Sequence, residues 1–192
     1  KEYRRQRQMC IRDSSGAGAK EFSGSSSVAG TISGTGQTIN INGSAVFGGA
    51  GTLVVDGGSI NTVYNSAGGG GSATVGMNVQ FANSVTLNAA SGKILKFDTG
   101  VLSGTGTLTT QGSGGVQFNS TGTSTYSGSI VNTTSLTASA PSLVAVSSIS
   151  TSSGLTIDGK TAFGSPVIPA SITGAGTVTK TSDGDITLTG SN

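Results

Sequence analysis

The stretch "GTGTLTTQGSGGVQFNSTGTSTYSGSI", Gly104 to Ile130, decides how this chain folds. It opens on a glycine-x-glycine unit, runs into a short polar-apolar strand, turns on glycine, and alternates again through "GVQFNS". The opening unit is not unique. Copies of glycine-x-glycine followed by an alternating run stand in "SGTGQTININ", "GGAGTLVVDG", "SGTGTLTTQG" and "TGAGTVTKTS", with the glycine pairs Gly34 and Gly36, Gly49 and Gly51, Gly104 and Gly106, Gly174 and Gly176. The first glycines are 15, 55 and 70 residues apart, gaps that divide into steps of about 15 to 18.

Between these units lie runs of four to six residues with period-two alternation, among them "TLVVD", "NVQFAN", "SVTLNA", "KILKFD", "SLVAVS", "LTIDG" and "DITLTG". Each has two or three apolar positions, enough to bury one face of a sheet. Asn, Asp, Gly and Ser separate them, residues that turn a chain by taking positive φ or by bonding to their own backbone. No amphipathic 3.6-residue pattern lasts for ten residues.

Composition agrees. Glycine is 33 of 192 residues, about 17% against the usual ~7%, and charged residues are 9%. Recurring Ile, Val, Leu and Phe separate the chain from a flexible Gly/Ser linker, and the three prolines and aperiodic glycines separate it from collagen. The expected fold is all-β: a right-handed single-stranded parallel β-helix, or β-solenoid, of glycine-rich repeats. A repeated glycine corner is what a stacked coil demands and a β-sandwich does not.

Composition divides the chain at residues 21 and 22. Residues 1–21 hold all four arginines and the single cysteine, Cys10, with a charge balance of +3; residues 22–192 balance at −1. A body so poor in Lys and Arg offers no electrostatic footprint for nucleic acid. The head reads as a disordered basic lead-in, as a tail for an anionic surface, or as an artefact, since "RQMCIRDS" resembles translated adapter sequence at the ends of metagenomic reading frames. No apolar stretch is long enough for a membrane-spanning helix, and no signal peptide is recognisable at residue 1.

The stretch Gly104–Ile130 resembles the autotransporter-associated β-strand repeat. Gly104, Gly106, Thr107 and Leu108 match its first strand, Gly112 and Gly114 its corner, Val116 and Phe118 its second strand, and Thr125, Tyr126 and Gly128 its tail. The stretch Gly174–Asn192 matches the front half, so the chain is expected to stop in mid-repeat. The resemblance implies a passenger-type β-solenoid, extracellular and held at a bacterial cell surface. Flanking repeats of a longer parent and host-surface glycans or proteins are its implied partners.

Chemistry-bearing residues are few. Zero histidines remove the Ser-His-Asp arrangement and most zinc sites, and the expectation is a non-enzymatic chain without cofactor or metal. The body acids are Asp56, Asp98, Asp158, Asp183 and Asp185. Asp183 and Asp185 would share a face if both lay on one strand, as a carboxylate dyad requires, but Asp183-Gly184, Asp56-Gly57 and Asp158-Gly159 read first as turns. "SAGGGGSATVG", Ser66–Gly76, lacks the lysine of a phosphate loop and reads as an excursion from one coil. Phe47, Phe81, Phe97, Phe118 and Phe163 are expected in the core, and Tyr126, in a polar segment, is the candidate surface contact. Phage tail fibre and carbohydrate-binding or carbohydrate-active β-helix are the competing readings.

Overall fold

The structure, a computed structural model, describes residues 19–22, 26–27, 29–42, 44–63, 71–98, 100–120 and 122–191. Most of the basic head with Cys10, together with Tyr64, lies outside them. The described residues form a parallel β-solenoid. In its first layers the strands are β1 (Lys20–Phe22), β2 (Ser26–Ser27), β3 (Thr31–Thr35), β4 (Thr38–Asn42) and the long β5 (Val46–Asp56). Then come β6 (Ser59–Val63), β7 (Gly71–Phe81), β8 (Val85–Ala89), β9 (Lys93–Asp98) and β10 (Leu102–Gly104). The later layers hold β11 (Leu108–Gly112), β12 (Gly115–Asn119), β13 (Ser129–Asn132), β14 (Ser135–Ser139), β15 (Ser148–Thr151) and β16 (Leu155–Asp158). The last strands are β17 (Val167–Ile168), β18 (Ser171–Thr173), β19 (Val178–Thr181) and β20 (Thr187–Leu188).

Every described strand pairing is parallel and joins one layer to the next. The first sheet runs β1-β4-β6-β8-β11-β13-β15-β18, so the chain makes about seven turns. The second runs β2-β5-β7-β9-β12-β14-β16-β19, with β3 on β5 and β10 on β7, and β17 pairs β20 in a third. Layers are 19 residues apart at their shortest, Ile130 to Ile149, and 28 at their longest, Val46 to Thr74. The 15 to 18 expected from glycine spacing is therefore too short. Lys20 and Glu21, grouped with the head by composition, pair with Ile39 and Asn40.

Period-two alternation explains the core. Along β7 the buried positions are Ala73, Val75, Met77, Val79 and Phe81, and parallel register stacks such residues in columns. One column is Val85, Leu108, Ile130, Ile149 and Ile172; another is Phe47, Val75, Phe97, Phe118, Ala138 and Ile157. Each fully buried side chain of this kind stabilises by roughly 1.5–3 kcal/mol, and each layer contributes its own set. Phe97 and Phe118 stack with ring centres 5.4 Å apart, and Phe22 and Phe47 at 4.4 Å. One inward column turns polar where Leu87 is followed by Thr110, Asn132 and Thr151. There the Thr110 hydroxyl donates to Asn132 Oδ1 at 2.7 Å, and Asn132 Nδ2 donates to Thr151 Oγ1 at 2.9 Å, so the buried groups satisfy one another.

The glycine pairs act at bends, but not at one repeated corner. Gly104 ends β10 before the chain crosses to the first sheet, whereas Gly112 ends β11 and Gly174 follows β18 before it crosses to the second. All three have φ between +100° and +109°. In each, the glycine two residues on donates its N–H to a carbonyl of the layer beneath: Gly106 to Phe81 at 3.1 Å, Gly114 to Ala89 and Gly176 to Thr151 at 2.9 Å. A Cβ on the first glycine would collide with that same carbonyl oxygen, so the bend closes only without a side chain. Gly34 is the penultimate residue of β3, at the crossing Gly104 uses, with Gly36 at φ +62°. Gly49 and Gly51 lie inside β5, where the register against β7 shifts between Gly48 and Thr52.

Two runs depart from the strand expectation. "SLVAVS", Ser142–Ser147, follows the 3-10 turn Ala140–Ser142, and its buried residues Leu143 and Val146 are three apart rather than two. Pro141 at the start of that turn has no N–H for a ladder. Gly71–Gly76, expected in a loop excursion, begins strand β7 and pairs with β9.

Candidate functional site

The solenoid offers two long lateral faces. On the first sheet the outward columns are Thr38, Ser59, Thr86, Thr109 and Asn40, Asn61, Asn88, Gln111. Asn61 Nδ2 donates to Asn40 Oδ1 at 3.0 Å, an amide ladder between layers. From β4 to β18 the strands of this sheet carry no charged residue.

The second sheet carries the charges. Lys96 and Asp98 on β9 form an ion pair at 2.9 Å, and Lys160 and Asp158 a second at 3.0 Å. Between them a groove of about 410 Å³ is lined by Asp98, Gln117, Asn119, Thr137, Asp158 and Lys160, with Phe163 on its rim. Register places these side chains: Gln117 lies between Lys96 and Thr137 on neighbouring strands, and Asn119 lies beside Asp98. Among the described residues, the side chains of Gln117, Asn119 and Thr137 make no hydrogen bond to the protein, so their amides and hydroxyl are free to meet a ligand. Asp158 also accepts from the Ser182 hydroxyl.

The groove's geometry limits its chemistry. β9, β12, β14 and β16 are successive neighbours, so Asp98 and Asp158 stand three strand spacings apart, about 14 Å at ~4.8 Å each. Paired-carboxylate glycoside hydrolysis works at roughly 5 to 9.5 Å. Asp183 and Asp185 lie outside the strands, in the bend after β19, so the shared strand face that a dyad needs is not formed there. Asp56 is a fastening residue: it accepts from the Thr35 hydroxyl at 2.8 Å and from the Asn83 amide, tying three layers together. No group of three His, Cys, Asp or Glu able to hold a metal ion occurs among the described residues.

Aromatic placement corrects two expectations. Tyr126 is not a surface contact: it is 1% exposed. Its ring meets Phe81 edge-on at 6.0 Å, and a Cβ on Gly128 would collide with its phenol oxygen. The phenol donates toward the carbonyls of Gly106 and, at 2.8 Å, Ser129. Burial pushes its pKa well above the usual phenol range, with the Leu108 backbone pulling weakly the other way. Phe163 departs in the other direction. It lies half-exposed on the 3-10 turn Thr161–Phe163 instead of in a strand, which is how it comes to rim the groove. Sequence reading did not single out Gln117, Asn119 and Thr137; their shared outward parity on "GVQFN" and "SLTAS" was the available signal.

No family model, curated protein or solved structure matches the chain. The β-solenoid architecture is established by the strand pairing alone, and that architecture serves structural, adhesive and other roles.

Proposed function

We propose that this chain is a segment of a non-enzymatic structural and adhesive protein displayed outside a bacterial cell, similar to an autotransporter passenger stalk. The observation that carries the reading is the first-sheet face: seven strands from β4 to β18 without a charge, surfaced by repeating Thr, Ser and Asn. A face of this kind has no long-range field to steer a charged partner. It offers hydroxyl and amide contacts at successive layers, interrupted by the exposed Val131 on β13, so weak contacts add along the rod as multivalent binding. Stacked layers hold that surface rigid, because each layer's apolar column rests on the next. The repeat resemblance of Gly104–Ile130 and Gly174–Asn192 supplies the cell-surface setting, and the 14 Å separation of Asp98 and Asp158 favours contact over catalysis in the groove.

The test is accessibility. An antibody raised against the chain should label intact cells of the source organism, and added protease should remove the label. Labelling that appears only after the cells are permeabilised would overturn the surface reading.

A further inference from the structure

We propose that the groove on the second sheet binds a neutral oligosaccharide, laid across β12, β14 and β16 and packed against Phe163. The choice of a glycan as occupant rests on the surface-protein reading; the chemistry rests on the groove. Both lining carboxylates are ion-paired, Asp158 with Lys160 of the lining and Asp98 with Lys96 just outside it, so the groove gives little net attraction to an acidic or a basic chain. The remaining groups are the ones a polyhydroxyl ligand needs. Gln117 and Asn119 present unspent amide donors and acceptors, Thr137 an unspent hydroxyl, and Asp98 and Asp158 ionised acceptors already held in place.

Spacing supports an extended ligand. Adjacent strands repeat every ~4.8 Å, so neighbouring layers offer polar side chains at intervals comparable to one sugar ring. Phe163 adds a partly exposed aromatic surface at the rim, among the described lining residues the one that can meet the apolar face of a ring.

The experiment is an amide NMR titration of the isotopically labelled chain with short neutral glucan, mannan and xylan oligosaccharides and with oligogalacturonate as the acidic comparator. At least one neutral probe should shift the side-chain amide signals of Gln117 and Asn119. The Gln117→Ala, Asn119→Ala double variant should lose that binding, and Phe163→Ala should weaken it several-fold. Both variants should keep the wild-type far-UV circular dichroism, because the three side chains lie outside the core. The proposal is overturned if no neutral probe moves these signals at millimolar concentration, if only the acidic probe does, or if the double variant binds as the wild type does. Intact-cell labelling is independent of all three results, so the groove and the surface reading fail separately.

Discussion

Two stretches carry nearly the same letters and do different work. "GAGTL" at 49–53 and "GTGTL" at 104–108 both place a buried leucine after a glycine pair, Leu53 and Leu108. In the first, the chain stays in the second sheet, and the glycines absorb a register shift within β5. In the second, Gly104 ends its strand at φ +102°, Gly106 bonds down to Phe81, and the chain crosses to the first sheet. The difference lies in the layer beneath and the layer above. Phe81 offers its carbonyl to the bend from below, while Ser127 donates its N–H to the Gly104 carbonyl from above. Glycine-x-glycine therefore marks a change of direction followed by a strand, and tertiary contacts decide which change it is.

Substitution at the glycines should separate the two stretches most strongly. Gly104→Ala and Gly106→Ala each drive a Cβ into a backbone carbonyl, of Phe81 and Asn83 respectively, and should cost at least ~3 kcal/mol in urea unfolding. Gly48→Ala, beside the other stretch, meets nothing closer than 3.6 Å and should cost below about 1 kcal/mol. Equal losses at both places would remove the distinction.

Tyr126→Phe should come next, at about 1–3 kcal/mol, because it leaves the Gly106 and Ser129 carbonyls without their buried donor. The same residue sets an alkaline limit. Its folded pKa is raised, so its contribution is complete below the unfolded phenol value of about 10 and declines as pH rises beyond it. Unfolding midpoints measured from pH 8 upward should fall more steeply for the wild type than for Tyr126→Phe; parallel curves would contradict the buried-phenol account. The smallest effect is expected at Asp56→Ala, which cuts the exposed ties to Thr35 and Asn83 and should cost under about 1 kcal/mol by the same assay.

Much of the architecture was legible because alternation is a local signal. "KILKFD", "GVQFNS" and "LTIDG" become β9, β12 and β16 with Leu95, Phe97, Val116, Phe118, Leu155 and Ile157 inward, though Ile94 faces out and Lys93 in. Layer length was not legible, because the glycine pairs sit at different bends and their spacing mixes crossings in opposite directions. "SLVAVS" misled for a related reason: Leu143 and Val146 also satisfy a three-residue spacing, and Pro141 tips that segment out of the ladder. Tyr126 was read by its polar neighbours, yet it is buried against groups distant in sequence, the Phe81 ring and the Gly106 carbonyl. The groove was the least legible feature. Gln117, Asn119 and Thr137 come together only through parallel register, and Phe163 reaches them from a separate turn.

The central claim is that strands pair with the layers before and after them, and never with their neighbours in sequence. Interstrand nuclear Overhauser contacts of the Thr109 amide test it directly. The solenoid predicts contacts to the backbone of both Thr86 and Val131, its partners on β8 and β13. Antiparallel contacts between the 108–112 and 115–119 strands, as a hairpin would give, would contradict it.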